Sequence, residues 1–398
     1  MTRFSPALAL SLLLPAACAD VRDADSPAHA GRLYDSAGVR IAENPRPPAG
    51  SRLGWEIGPE PTVTIGAAEG EGPYRLDRVG MAATLPDGSI VVADGRSNEV
   101  RMFDADGVHL RSWGEYGKAP GEFDELHRVA RWRGDSIAAW DRFPYRGVAI
   151  FDVEGNLGRM AALGMGGPDR SISILRGGSF LADYWLHGDH GHGGHGSGLM
   201  VQEQVFEIRD ADGVRTASLA ALPGREFFVS PNRELPVEMD VAFSRSVYAA
   251  AWRDLALVSP NHGYELRAYA TDGALRRIVR VDHTPVPVTD SLVNVAREEW
   301  RAGDRFDGMP LPETLPAFAM VMADGLDHLW VREYPVPGRD TPSSVWTVFD
   351  PEGRVLGFVE TPLRLLVYEI GADYVLGRWF GEPGVVQVQV WSLRREGP

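Results

Sequence analysis

Four carboxylates stand at matching places in this chain, each at the end of a short apolar run: Asp94, Asp141, Asp183 and Glu333. Carboxylates repeated around a common axis offer the hard oxygen donors a divalent cation such as calcium needs. The other expectation is structural. An Asp at a strand end accepts N–H bonds from the next two residues and caps its own turn. Recurrence favours this second reading, because a catalytic residue need occur only once. A different chemistry is concentrated in His187, Asp189, His190, His192 and His195, four imidazoles and a carboxylate within nine residues. Neutral imidazole suits zinc, nickel or copper. The glycines between these side chains supply no rigid second layer of support, so a surface loop of biased composition is the competing expectation. Ser259-Pro260-Asn261-His262 lacks an acid partner in sequence and reads as a turn. Trp132, Trp185 and Trp379 are aromatic candidates for a ligand pocket.

The elements that must position these residues repeat. One unit is a strand closing on a polar residue: Gly88–Asp94, Asp135–Asp141, Gly178–Asp183, Arg253–Ser259, Asp327–Glu333 and Asp373–Arg378. A second unit is an alternating strand running into Asp-x-x-Gly: Val100–Gly107, Val148–Gly155 and Trp346–Gly353, with looser copies at Phe206–Gly213 and Leu266–Gly273. Val385–Trp391 keeps the alternation without the turn. Alternation places every second side chain on one sheet face, and Asp with Gly supplies the turn. Ile90 and Ile137 lie 47 residues apart, the length of a four-stranded blade. One such sheet cannot bury its face alone; stacked radially, sheets bury one another and leave few open edges. The expectation is an all-β, six-bladed β-propeller with four-stranded antiparallel blades over residues 51–398. A third unit, Leu76-Asp-Arg-Val79 and Leu126-His-Arg-Val129 behind glycine-rich linkers, implies that Thr62–Ile65 is an outer strand completing the last blade.

Two stretches break the period. The spacing from first to second unit is 13 or 14 residues in three blades but 29 in the third, where 186–199 carries the histidines. Between the fourth and fifth, 285–315 is inserted. There Thr289 caps a helix running to about Arg301, and Leu292, Val295 and Trp300 are expected to bury one face.

Residues 1–19 form a secretory signal: Arg3, an apolar stretch from Phe4 to Ala17, then small residues. Leu14-Pro15-Ala16-Ala17-Cys18 resembles a bacterial lipobox, which implies lipidation of Cys18. The alternative is ordinary cleavage after Ala17-Cys18-Ala19. Residues 20–50 read as a tether, with Gly38–Ile41 a short strand within it. Cys18 is the single cysteine, so no internal disulfide staples the fold. Apolar residues make up 44% and charged residues 24%, a globular composition. A net charge of −15 argues against nucleic-acid binding and against adsorption to anionic membranes.

Asp94–Gly107 followed by Gly114–Phe123 resembles an NHL-type repeat. From about residue 33 to 395 the chain is similar to a bacterial family of exported six-bladed β-propeller lipoproteins, on Asp35–Ile41, Ala93-Asp94, Pro120–Phe123, Leu329–Val331 and Glu369–Gly371. The resemblance implies fold and export and brings no catalytic set. The functional expectation is a monomeric, non-enzymatic binding or scaffold propeller, lipid-anchored in the periplasm or at the cell surface. Its partner is a protein, peptide or glycan of the envelope, with no required cofactor. The alternative is a metal-dependent hydrolase of the gluconolactonase or paraoxonase type, propellers that hold calcium in their central channel; calcium or zinc is then the implied metal.

Overall fold

The computed structural model describes residues 31–67, 72–142, 147–163, 172–186, 198–229, 238–301, 306–339, 341–381 and 383–395. Over these residues the chain is nearly all-β, as expected, with one α-helix. Strands β1 (Arg32–Ser36), β2 (Val39–Asn44) and β3 (Trp55–Ile65) precede the repeats. The first sheet is β4 (Val79–Thr84), β5 (Ile90–Asp94), β6 (Glu99–Phe103) and β7 (His109–Trp113). The second is β8 (Leu126–Arg131), β9 (Ile137–Asp141), β10 (Val148–Phe151) and β11 (Leu157–Ala161). The third has five strands: β12 (Ile172–Ile174), β13 (Phe180–Trp185), β14 (Gly198–Arg209), β15 (Arg215–Val229) and β16 (Glu238–Asp240). The fourth is β17 (Val247–Trp252), β18 (Leu255–Pro260), β19 (Glu265–Tyr269) and β20 (Leu275–Val281), with β2 and then β1 added at its outer edge. Helix α1 (Asp290–Glu299) precedes the fifth sheet, β21 (Phe318–Ala323), β22 (Leu329–Glu333), β23 (Ser343–Phe349) and β24 (Val355–Pro362). The sixth is β25 (Leu365–Ile370), β26 (Tyr374–Phe380) and β27 (Val386–Arg395), completed by β3.

Each copy of the first repeat unit is the second strand of a sheet, and each copy of the second unit is the third strand. The Asp-x-x-Gly turn works as its chemistry requires. Asp104 Oδ1 accepts the N–H groups of Asp106 (3.0 Å) and Val108 (2.8 Å), and Gly107 takes φ of 82°. Asp350 repeats this with Glu352 and Arg354, both at 2.8 Å. The left-handed glycine lets the chain reverse with one extra residue, hence the register shift at Met102/Phe103.

The core lies between sheets, not within them. Val91 and Phe151 share one cluster, bridging the first and second sheets. Trp140 with Phe180 joins second to third, and Phe206 with Val258 joins third to fourth. Trp252 with Phe318 and Phe349 joins fourth to fifth; Trp346 with Trp391 joins fifth to sixth. Val388 of the sixth then packs with Val79, Ile90 and Phe103 of the first. The succession of contacts returns to where it began.

Three expectations shift in detail. The outer strand supplied to the sixth sheet begins at Trp55, seven residues before Thr62, and pairs antiparallel with β27. Within the expected tether, β1 and β2 form a hairpin, and β2 pairs in parallel with β20. Asn44 ties it down: its Nδ2 donates to Gly353 O (2.9 Å) and Arg280 O (3.1 Å), and its Oδ1 accepts from Val355 N (2.9 Å). Helix α1 is capped by Thr289 as expected, but it buries Ala296, with Leu292 and Val293 half-buried, while Trp300 is 46% exposed. The small alanine lets the short helix sit close to Phe243 and Phe306.

Candidate functional site

The four strand-end carboxylates are taken up by their surroundings. Asp94, 1% exposed, accepts from Arg96 N (3.0 Å) and Asp77 N (3.2 Å) and pairs with Arg101 at 3.2 Å. Burial pushes its pKa up against these partners. Asp141 accepts from the N–H groups of Asp124 and Glu125, both at 3.1 Å. Gln204 donates to Asp183 at 2.6 Å. Glu333 accepts from Thr347 Oγ1 (2.6 Å), Tyr264 OH (3.0 Å) and Arg46 (2.5 Å). At the corresponding ends of β18 and β26 the residues are Ser259 and, by pairing register, Gly377. So each carboxylate holds its own turn or a neighbouring strand. Among the described residues there is no group of three or more His, Cys, Asp or Glu side chains placed to hold a metal ion. Cys18 and the histidines at 187, 190, 192 and 195, with Asp189, lie outside the described residues. Trp132 packs against the cluster between the second and third sheets and donates to Gly178 O at 3.1 Å, and Trp379 lies tilted against Trp391 with ring centroids 5.7 Å apart.

A different set of groups collects around β4, from the first strands of the second and sixth sheets and from β26. Four of the sheets' first strands carry a bulge near their start, at Gly80, His127, Ala319 and Tyr368. A bulge turns one side chain out of the regular alternation. At Gly80 a Cβ would lie 2.0 Å from the His127 carbonyl oxygen, so glycine is what lets β4 meet β8. Two donors converge beside it on the Val79 carbonyl: Tyr368 OH at 3.1 Å and Arg378 Nη1 at 3.0 Å. The Arg378 guanidinium also lies 4.6 Å from the Phe380 ring centroid, and its Nε is buried without a partner. Arg128 reaches Met81 Sδ at 3.5 Å. Its pKa is lowered by burial, with the Tyr368 hydroxyl as the opposing electrostatic neighbour. Burial, then Arg128, Arg142 and Arg378, push His127 down to about 4. Burial raises Tyr368 to about 12. This is a cationic, hydroxyl-bearing surface in a chain of net charge −15.

Across the same end of the sheets lies a cleft of about 700 Å³. Its lining includes Phe243, Tyr248 and Asn261 from the fourth sheet's side, Trp300 and Phe306 from the helical insertion, and Tyr334 beyond β22. Trp300 and Phe243 lie 5.2 Å apart, centroid to centroid, and Trp300 meets Phe306 edge-on at 6.0 Å. Asn261 is a structural tie as well: its Nδ2 donates to Phe318 O at 2.9 Å and its Oδ1 accepts from Ser246 N at 2.8 Å. Burial raises Tyr334 to about 12 and Tyr248 in the same direction, so both present protonated hydroxyls. Aromatic faces with a few fixed polar groups are a usual lining for a ligand-binding cleft.

The polar knot at 259–262 thus contributes Asn261 to the cleft. The residues His127, Arg128, Tyr368 and Arg378 carry no sequence signature of their own. The one available signal was the recurrence of Leu-x-Arg-Val, and it misleads. Val79 and Leu126 are the structurally matching residues, since they pair with Asp94 and Asp141. Arg78 therefore precedes its strand, whereas Arg128 sits inside one.

No family model matches the chain, and no curated protein matches it. Solved structures do. A member of the DUF4221 family from Bacteroides vulgatus is 7% identical with a TM-score of 0.50, covering 86% of this chain and 99% of that one. A candidate exported protein of Bacteroides fragilis is 10% identical, TM-score 0.49, over 89% and 99%. A gluconolactonase from Xanthomonas campestris is 15% identical, TM-score 0.38, over 79% and 88%. At such identities the likeness to the DUF4221 protein is one of fold.

Proposed function

We propose that this chain is an exported six-bladed β-propeller that binds a protein, peptide or glycan of the bacterial envelope without transforming it. In this reading the six sheets are the blades, and β3 closes the ring. Residues 1–19 direct export, and Cys18 carries a lipid anchor. The observation that carries the binding reading is the aromatic cleft, where Trp300 of the helical insertion stands exposed beside Phe243 and Phe306. Exposed aromatic surface flanked by fixed hydroxyl and amide groups is the composition of a recognition site.

The alternative, a metal-dependent hydrolase of the gluconolactonase or paraoxonase type, needs carboxylates free to ligate. The engagement of Asp94, Asp141, Asp183 and Glu333 with their own neighbours favours the binding reading over it. The deciding experiment is metal analysis of the untagged chain from residue 20, with melting scans in EDTA, calcium and zinc. The binding reading expects no stoichiometric metal and no shift. A bound ion at one per chain, or a melting point raised several degrees by one ion, overturns it. Anchoring is tested separately: Cys18→Ser is expected to move the protein out of the membrane fraction.

A further inference from the structure

We propose that the surface formed by Arg128, Arg378 and Tyr368 beside β4 is a binding site for a small oxyanion, a carboxylate or a tetrahedral sulfate or phosphate group. None of the three lines the aromatic cleft, so the inference stands apart from the binding reading above.

The argument begins with Arg128. A guanidinium carries five N–H donors and no acceptor. Arg128 is half-buried, and the hydrogen bond it makes is to a thioether sulfur at 3.5 Å, a weak acceptor. Among the described residues neither Arg128 nor Arg378 forms an ion pair. Three closely packed arginines elsewhere have a carboxylate, Arg101 with Asp94, Arg209 with Glu207 and Arg395 with Asp324, whereas half-buried Arg332 has none among the described residues. With 55 acidic against 40 basic residues, carboxylates are plentiful in the chain, yet among the described residues none pairs with Arg128 or Arg378. A desolvated cation without a counter-charge is costly, and a bound anion removes that cost.

The neighbours fit the same ligand. Arg378 spends Nη1 on the Val79 carbonyl, and its stacking on Phe380 fixes the plane of the guanidinium. Tyr368 OH is held protonated by burial and gives its single proton to that same carbonyl, which Arg378 Nη1 also serves, so the hydroxyl can turn to a ligand without leaving the carbonyl unpaired. His127 is neutral and adds no competing charge. The nearest carboxylate in sequence, Glu369, is engaged with Tyr374 OH and with Thr84 N at 3.0 Å. Two guanidinium groups and a hydroxyl beside β4 make charge-assisted, partly planar recognition of an oxyanion.

The test is a melting series of the mature chain at constant ionic strength, with sodium sulfate, phosphate or succinate replacing sodium chloride. Titration calorimetry follows with whichever anion acts. Wild type is expected to gain about 5 °C in one or more of the three at saturating concentration. A response to succinate alone identifies a carboxylate site, and a response to sulfate or phosphate a tetrahedral one. Arg128→Met and Arg378→Met are expected to weaken binding about tenfold or more while melting, without anion, no lower than wild type. Should either fail to fold, Tyr368→Phe keeps the packing and is expected to bind several-fold more weakly. The proposal is overturned if no anion exceeds matched chloride in wild type. It is equally overturned if the variants that fold respond as wild type does.

Discussion

Asp324 shows how much one side chain holds together here. Its Oδ1 accepts from Leu326 N (2.9 Å) and His328 N (2.8 Å), and its Oδ2 from Trp330 Nε1 (2.8 Å) and Arg395 (2.7 Å). Arg395 lies 4.4 Å from the Trp55 ring centroid, so the fifth and sixth sheets and β3 meet at one carboxylate. Burial pushes Asp324 up, but hydrogen bonds from His328 and Trp330 and the charge of Arg395 outweigh it and hold the carboxyl below its ordinary value. Asp324→Asn should cost about 3 kcal/mol in denaturant unfolding, because Arg395 is left buried and unpaired; a loss near zero would show the pair to be ornamental. His127 works with the opposite group type. Its folded pKa of about 4 lies below the ordinary 6.5, so the fold disfavours its protonated form. That contribution is fully present above about pH 6.5 and is lost as pH falls toward 4. Roughly 2 kcal/mol of stability should disappear across that window, and His127→Gln should flatten it. A variant whose pH profile overlays wild type would contradict the buried, arginine-flanked environment of the ring.

At the scale of elements, legibility follows locality. The second and third strands of each sheet were readable because their alternation and their Asp-x-x-Gly turns are written in consecutive residues. The closing strand was readable in part: Thr62–Ile65 showed the pattern, while Trp55 to Pro61 did not, because register shifts at Val390/Trp391 and Trp391/Leu393 interrupt the alternation. Of the β1–β2 hairpin only the strand at Gly38–Ile41 was readable, since what fixes it is the amide of Asn44 reaching across to Gly353, over three hundred residues away. Asn44→Ala removes three hydrogen bonds and leaves backbone groups of two sheets unpaired, so a loss of about 2 kcal/mol is expected by chemical denaturation. Asn44→Asp, which keeps the acceptor for Val355 N, should lose less. The oxyanion surface was invisible for the same reason. Its members come from β8, β25 and β26, and only a bulge on the first strands brings His127 and Tyr368 to β4.

The whole molecule is a closed succession of sheets that no disulfide reinforces, since the chain has one cysteine, at residue 18. Closure rests on β3 pairing with β27, on Ile65 and Val388 packing against the first sheet, and on exposed contacts such as Arg394 with Glu56 at 2.6 Å. The exposed ion pair adds little; the buried apolar side chains and the backbone ladder do most of the holding. The oxyanion surface depends on this, because it draws on the first, second and sixth sheets. The most direct measurement is the melting of a chain that begins at Gly66, compared with one that begins at Pro48, both lacking β1 and β2. Loss of β3 strips the ladder from β27 and uncovers the cluster around Ile90 and Phe103. A melting point at least about 10 °C lower, with a broadened transition, is the expected result. An unchanged, sharp transition would contradict closure by β3 and, with it, the ring on which the proposed function stands.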